Sequence, residues 1–207
     1  MNKLLRILGH KLYFDKVLRK LSFTPKIVKL DNIRCQKNFN YSNYLGFGSK
    51  HIEYFPPYQF FKEYLNNPEK AKIDFINFFY DNILKNKALK ISKAQGGWKN
   101  GPTYKIIESL FYKKNLKINN NSLRKNKELV EQAILKRVNH YFNVFLSIKN
   151  KGYNPYLGPI MIEKENGLYY LINGHHRIAM LSVLGYKQVL LFKRTKLKIF
   201  LDKYILS

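Results

Sequence analysis

Residues 159–179, PIMIEKENGLYYLINGHHRIA, hold the pattern from which the architecture of this 207-residue chain is predicted. Two short apolar runs flank Asn166-Gly167, a dipeptide that is typical of two-residue hairpin turns. We therefore predict adjacent strands over Pro159–Lys164 and Leu168–Ile172. The run that follows, HHRIAMLSVLG, predicts a compact buried helix that ends at Gly185.

The segments on either side extend this pattern. A long helix is predicted from about Glu128 to Lys149, and KQVLLFK (187–193) predicts one more strand. The buried face of the long helix is predicted to consist of Leu135, Val138, Phe142, Phe145 and Ile148. The last part of the chain thus has the order helix, strand, strand, tight turn, helix, strand.

The first half of the chain has a largely helical and irregular pattern. Residues 58–90 predict two helices with a break near Pro68, and another helical pattern runs from Thr103 to Lys114. Glycine-bearing loops at 41–50 and 93–102 separate these segments. We predict an α+β protein in which a mainly helical region, 1–100, precedes a domain, 101–207, with a small mixed sheet and packed helices.

The charge balance points to an anionic partner. The chain has 38 Lys and Arg residues against 13 Asp and Glu residues, a formal net charge of +25. Such a surface attracts polyanions, so nucleic acid, nucleotide phosphates, anionic lipid and acidic glycans are all candidate partners. An alternative origin of the lysines is the codon bias of an AT-rich genome, since Asn, Ile, Tyr and Phe are also common. That bias does not explain why acidic residues are so few.

Cysteine content and the first residues bear on location. The single cysteine, Cys35, allows no internal disulfide and indicates a reducing compartment, so a cytoplasmic protein is expected. Leu4, Leu8 and Leu12 form an amphipathic stripe among basic residues, without the apolar run of a signal peptide or a transmembrane span. Such a helix either packs on its own domain or contacts an anionic membrane surface.

The turn from Gly174 to Arg177 has the features of an anion site. A glycine between a strand and a helix lets the first helical N–H groups point outwards at the positive end of the helix dipole. Asn173 is a suitable N-cap, and Arg177 and one histidine can add charge-assisted bonds to a phosphate. Cations at a helix N-terminus are unfavourable unless an anion is present, which indicates a ligand.

Two adjacent histidines can also belong to a metal site, to a nuclease site or to the packed core. A zinc site lacks a third ligand at suitable spacing, and a His-Asn-His nuclease would need a later histidine, whereas none follows His176. The segment GFGSK (46–50) lacks the spacing of a P-loop. A purely structural role, in which His175 and His176 cap and pack, is the alternative to phosphate binding.

Several motifs in order resemble the ParB/sulfiredoxin superfamily. Its members share a helix ending in Ser-Ile-x3-Gly, then Pro-Ile and a strand, a hairpin, and a glycine-basic turn that opens a helix with Ala and later Leu-Gly. The corresponding residues here are Ser147, Ile148, Gly152, Pro159, Ile160, Gly174, Arg177, Ala179, Leu184 and Gly185. The resemblance covers about the last third of the chain and implies nucleotide phosphate binding at the turn.

The variant of the turn distinguishes branches of that superfamily. The catalytic cysteine of sulfiredoxins corresponds to His175 here, so sulfinic acid reduction is not expected. The ParB turn for CTP is Gly-Glu-Arg-Arg and precedes a helix-turn-helix domain, which puts CTP-clamp behaviour in doubt although CTP stays a candidate ligand. The Gly-His-His-Arg turn is similar to that of free-serine kinases that use ADP or ATP.

The kinase resemblance implies further roles. It implies phosphoryl transfer from ATP or ADP, with Mg²⁺, to a small hydroxyl substrate. A glutamate early in the fold would act as base, for which Glu53 and Glu108 are candidates, with His176 as a further catalytic candidate. On the long helix, Arg137, His140 and Ser147 share one face by spacing, and the resemblance implies that this helix borders the nucleotide pocket.

Two other functions stay open from the sequence. The first is a non-catalytic module that binds nucleotide or DNA, favoured by the net charge of +25. The second is an accessory protein of surface-glycan synthesis, because turns of this kind resemble those of ParB-like proteins associated with that work.

Overall fold

The structure is a computed structural model that describes residues 23–35, 50–84 and 102–194. In chain order the elements are β1 (Phe23–Lys29), β2 (Ile33–Arg34), α1 (Pro56–Tyr64), α2 (Pro68–Leu84), α3 (Pro102–Lys113), α4 (Asn120–Lys125), α5 (Lys127–Lys151), β3 (Met161–Glu165), β4 (Leu168–Leu171), α6 (His175–Val183) and β5 (Gln188–Arg194). Single 3₁₀ turns span Leu30–Asn32 and Ile52–Tyr54. The predicted α+β class is therefore confirmed.

The five strands form one mixed sheet in the order β1-β5-β3-β4-β2. The pairs β1/β5 and β3/β4 are antiparallel, whereas β3/β5 and β2/β4 are parallel. Helix α6 connects β4 to β5 and so passes over the central strand β3. The turn that begins α6 therefore lies where β4 ends, beside the start of β3.

The predicted hairpin is confirmed. Strands β3 and β4 pair with Ile162 opposite Leu171 and Lys164 opposite Tyr169. Asn166 and Gly167 have φ values of 48° and 81°, so both central turn residues are in the left-handed region. A two-residue turn with two positive φ angles matches the twist of the flanking strands, which is why the Asn-Gly dipeptide is informative.

The predicted helices are also present, with one correction to a buried face. Helix α5 runs from Lys127 to Lys151, and the break near Pro68 separates α1 from α2. Leu135, predicted to be buried, is 45% exposed. The helices that pack on α5 contact the face that carries Ala133, Ile134 and Val138. Leu135 lies outside that face.

The first half of the chain supplies two strands that the sequence pattern does not predict. β1 forms one edge of the sheet against β5, and β2 forms the other edge against β4. Pro25 is tolerated in β1 because an edge strand has one unpaired side. The strands of the sheet thus come from both sides of residue 100. The amphipathic stripe at Leu4–Leu12 and most of the loops at 41–50 and 93–102 lie outside the described residues.

An aromatic cluster holds α1, α2 and α5 together. Phe61 of α1 is fully buried and stacks on Phe145 of α5 with centroids 5.4 Å apart. Phe142 of α5 meets Phe61 edge-on at 5.7 Å, and Phe75 of α2 meets Phe61 edge-on at 6.0 Å. Because α1 also packs on α6, this cluster fixes α5 relative to the turn that begins α6.

Candidate functional site

Gly174 begins the candidate site and cannot be replaced without strain. It is the N-cap of α6, with φ 84° and ψ 18° in the left-handed region. A Cβ atom at this position would lie 2.8 Å from Cγ1 of Ile160, which precedes β3. Both the backbone conformation and the close approach to Ile160 therefore require glycine.

Asn173 has a different role from the predicted one. The N-cap of α6 is Gly174, which has no side chain with which to cap the helix. The Asn173 Oδ1 atom instead accepts a hydrogen bond of 3.1 Å from the backbone N–H of Met161. Asn173 thus ties the turn to β3 and leaves the start of α6 without the expected side-chain cap.

His175 points into the core. It is 6% exposed, and its ring lies 5.8 Å from that of Phe55. Burial lowers the pKa of His175 to about 3, so the imidazole is neutral near pH 7. His175 therefore offers no positive charge to an anion, and the expected charge-assisted bond from a histidine does not apply to it.

His176 lies between aromatic side chains from two other elements. Its ring stacks on Tyr141 of α5 at 4.1 Å with an interplanar angle of 14°, and meets Phe55 edge-on at 5.4 Å. Burial, and then the positive charges of Arg137 and Arg177, hold the pKa of His176 well below its usual value. This histidine is also neutral, and its contacts join the turn to α5.

Arg137 lies against the same tyrosine. Its guanidinium carbon is 4.3 Å from the centre of the Tyr141 ring, and its Nε atom is buried without a hydrogen-bond partner among the residues that the structure describes. Within the described residues Arg137 forms no ion pair. A buried donor without an acceptor is costly, by about 1–3 kcal/mol, so this position is unfavourable in the absence of a ligand.

Arg177 lies on the other side of the turn, over the loop between α5 and β3. A Cβ atom on Gly158 would come within 2.6 Å of the Arg177 Nη1 atom, so Gly158 makes room for the guanidinium. Burial lowers the pKa of Arg177, although the nearby Tyr153 opposes that effect. Burial raises the pKa of Tyr153 to about 12, and its hydroxyl donates a 2.9 Å hydrogen bond to the Gly158 carbonyl.

No carboxylate in the described part of the chain pairs with Arg177. Glu163, a candidate partner by position in the sequence, pairs with Arg194 of β5 at 3.7 Å instead. The two guanidinium groups nearest to the turn, Arg137 and Arg177, therefore carry positive charge that these residues do not neutralise. The charges of both lower the pKa of His176, so both lie near that side chain.

The structure does not bring all residues of the predicted helix face to the turn. Arg137 contacts Tyr141, the stacking partner of His176. His140 is exposed on an open groove of about 460 Å³ along α5, and Ser147 is exposed near the end of that helix. Partial loss of water around the ring, and then the charge of Arg137, lower the pKa of His140. The groove around His140 is lined by Gln132, Leu135, Lys136, Asn139 and Asn143.

The two candidate glutamates lie in different surroundings. Glu53 is exposed in the 3₁₀ turn before α1, with its Oε2 atom 3.9 Å from His51 Nδ1. Phe55, two residues later, contacts both histidines of the turn, so the Glu53 segment adjoins the site. Glu108 is exposed on α3, a helix that packs on α5.

Sequence reasoning missed the aromatic side chains that position the turn. Phe55, Tyr141 and Tyr153 each contact or act on a residue of the turn. One signal was present at Tyr141, because it follows Arg137 by four residues and therefore lies on the same face of α5. Phe55 contacts the turn from a distant segment of the chain. A pattern along one helix does not show a contact of that kind.

Neither a metal cluster nor a membrane span is found in the part of the chain that the structure describes. Its residues contain no group of three or more His, Cys, Asp or Glu side chains placed to hold a metal ion. Among the same residues, no helix is both long and apolar enough to cross a membrane.

Comparisons with known proteins give no relative. No family model, no curated protein and no solved structure matches the chain. The resemblance to the ParB/sulfiredoxin superfamily is therefore a hypothesis based on the motifs in the last third of the chain.

Proposed function

We propose that the Gly174–Arg177 turn, together with Arg137, binds the phosphates of a nucleotide. The observation that supports this most directly is the pair of guanidinium groups beside the start of α6. Neither forms an ion pair within the described residues, and the Arg137 Nε atom is buried without a hydrogen-bond partner. A phosphate between them would provide acceptors for both guanidinium groups and for the N–H groups of the helix start.

The neutral histidines are consistent with this arrangement. If both histidines were protonated, four cations would repel one another at the helix start. Burial keeps His175 and His176 neutral. Two positive charges remain, from Arg137 and Arg177. That charge suits a phosphoryl group, whose transfer depends mainly on positioning and on charge neutralisation.

The proposed reaction is transfer of a phosphoryl group from ATP or ADP to a small hydroxyl substrate. Glu53 is the preferred general base, since its segment adjoins the histidines of the turn through Phe55, whereas Glu108 lies on α3, which packs on α5. In this proposal the nucleotide phosphates bring Mg²⁺, which supplies further charge neutralisation. CTP is the alternative nucleotide, in a protein that binds without catalysis.

Nucleotide binding is tested by thermal melts and calorimetry with ADP, ATP, CTP and GTP, each with and without Mg²⁺. A ligand at a hundred times its dissociation constant should stabilise the protein by about 2.7 kcal/mol. Arg137→Met should weaken this binding while keeping an unbranched side chain against Tyr141. The proposal fails if no nucleotide shifts the melting temperature of the wild-type protein at millimolar concentration.

Phosphoryl transfer is tested separately. Wild-type protein would be incubated with the bound nucleotide and a panel of small alcohols that includes free serine, and ³¹P NMR would detect a new phosphomonoester. Glu53→Gln should abolish product formation and leave nucleotide affinity unchanged, with Glu108→Gln as the matched control. Nucleotide binding without any phosphomonoester would favour the non-catalytic alternative.

A further inference from the structure

Two lysines lie over the ring of Tyr169, and a third projects from the strand between theirs. Lys26 belongs to β1, Lys164 to β3 and Lys193 to β5. The Nζ atoms of Lys26 and Lys164 lie 5.6 Å and 5.9 Å from the centre of the Tyr169 ring. The hydrogen bond with Lys26, and then the charges of Lys26, Lys164 and Lys193, lower the pKa of the Tyr169 phenol below its usual value. We call these four residues the Tyr169 patch.

The strand register explains why these side chains meet. Lys193 lies opposite Thr24 and opposite Ile162, while Lys164 lies opposite Tyr169. Because side chains two residues apart share a face of a sheet, Lys26, Lys193, Lys164 and Tyr169 all project on the same face. Lys26 and Lys164 are exposed there, so the patch reaches solvent.

The charge of the patch is not neutralised by the described residues. None of the three lysines forms an ion pair with a carboxylate in ranges 23–35, 50–84 and 102–194. Both acidic neighbours of Lys164 along β3, Glu163 and Glu165, project on the opposite face, and Glu163 pairs with Arg194 at 3.7 Å. Like charges on neighbouring strands are unfavourable, so the arrangement favours an external anion.

We propose that the Tyr169 patch binds the phosphate backbone of a nucleic acid. The ammonium groups extend from three different strands of the sheet, which suits an extended polyanion. Lysines act on phosphates as point charges, so this interaction would not depend on the base sequence. None of the four patch residues is a large exposed apolar side chain of the kind that inserts into lipid, and this favours nucleic acid over a membrane surface.

This interface is separate from the proposed nucleotide site. Tyr169 stands near the beginning of β4, whereas the Gly174–Arg177 turn follows the end of that strand. The two sites also differ in chemistry, because the turn uses guanidinium groups and a helix start. The inference about the Tyr169 patch therefore does not depend on nucleotide binding at the turn.

The test compares two triple variants that lose the same number of charges. The patch variant is Lys26→Gln, Lys164→Gln and Lys193→Gln, and the control variant is Lys29→Gln, Lys62→Gln and Lys114→Gln at exposed positions outside the patch. Binding to a fluorescent 30-base-pair duplex would be measured by anisotropy over a salt series, with thermal melts to verify folding. Lys29 is a close match to Lys26, because it lies on the same strand and projects on the other face.

We expect the patch variant to bind the duplex on the order of 10²-fold more weakly than the wild type at 0.1 M salt. The reason is that the slope of log affinity against log salt falls by about 0.9 for each phosphate that is no longer neutralised. The control variant should retain most of the wild-type slope, and both variants should bind ATP as the wild type does. Equal slopes for the two variants would overturn the proposal. It would also be overturned if the patch variant bound the duplex normally and lost binding only to phosphatidylserine vesicles, which would assign the patch to a membrane.

Discussion

At the scale of single residues, Arg177 gives the sharpest test of the turn. Its guanidinium can grip a phosphate with two parallel hydrogen bonds, and the ammonium group of a lysine cannot reproduce that geometry. Arg177→Lys should therefore weaken nucleotide binding by about 1.5–3 kcal/mol, the range for hydrogen bonds to charged groups. Arg177→Ala should weaken it at least as much. Calorimetry on both variants measures the effect, with Arg194→Lys as a control outside the turn.

The same substitutions distinguish a ligand site from a structural cap. Because Arg177 pairs with no carboxylate in the described part of the chain, its replacement should leave the melting temperature of the unliganded protein nearly unchanged. Unchanged nucleotide affinity in Arg177→Lys would indicate a structural turn. A large drop in melting temperature without ligand would show that Arg177 holds the fold together.

The buried histidines predict how stability depends on pH. The folded-state pKa of His175 is about 3, below the value of about 6.5 expected in the unfolded chain. Below pH 6.5 the unfolded chain binds a proton that the folded protein does not, so stability falls as pH falls. From pH 6.5 to pH 5 this group lowers the free energy of unfolding by about 2 kcal/mol, and His176 acts in the same direction.

Urea denaturation between pH 8 and pH 5 measures this dependence. His175→Gln should flatten the pH dependence, because the group that titrates only in the unfolded state is gone. His140→Gln, at an exposed position, should change the dependence much less. Identical pH dependence in wild type and His175→Gln would mean that folding does not change the pKa of His175.

At the scale of secondary-structure elements, the aromatic cluster between α1, α2 and α5 determines where α5 presents Arg137 and Tyr141. Phe61 is fully buried there, against Phe145 and Phe142. Phe61→Ala should lower the free energy of unfolding by about 3–5 kcal/mol, through reduced burial and the cavity left behind. Tyr112→Ala, at a position that is 81% exposed on α3, should change it by less than about 0.5 kcal/mol. Chemical denaturation of the two variants checks both values.

The sequence is sufficient to predict a secondary-structure element when that element depends on residues close to it in the chain. The β3–β4 hairpin follows from Asn166-Gly167, and α5 follows from its apolar spacing. The strands β1 and β2 could not be predicted in this way. β1 pairs with β5 at the other end of the described chain, and its sequence FTPKIVK contains a proline and exposes most of its side chains.

The same distinction applies to the candidate site. The requirement for glycine at 174 is predictable, because a sharp change from strand to helix needs a positive φ angle. The neutral state of both histidines depends on Phe55 and Tyr141, which only the tertiary structure brings to the turn. The residue type of Asn173 predicts a cap, but the approach of Met161 gives its side chain a different partner.

At the scale of the whole molecule, the sheet depends on both halves of the chain. The edge strands β1 and β2 come from residues 23–34, and the three strands between them come from residues 161–194. The first half also provides α1, which packs on α6, and α2, which packs on α5. The site thus depends on parts of the chain on both sides of residue 100, because Phe55 precedes α1 and contacts both histidines.

This arrangement predicts that residues 101–207 do not fold alone. Without β1, the inner strand β5 becomes an edge, and without α1 and α2 the buried faces of α5 and α6 are open to water. The isolated fragment should therefore show no cooperative melt by circular dichroism and poor dispersion in a ¹H–¹⁵N NMR spectrum. A fragment of residues 23–194, which contains every described element, should melt cooperatively, and it is the matched control. If residues 101–207 instead gave a dispersed spectrum and a sharp transition, the predicted division at residue 100 would be a true domain boundary, and β1, α1 and α2 would be accessories to a core that is already complete.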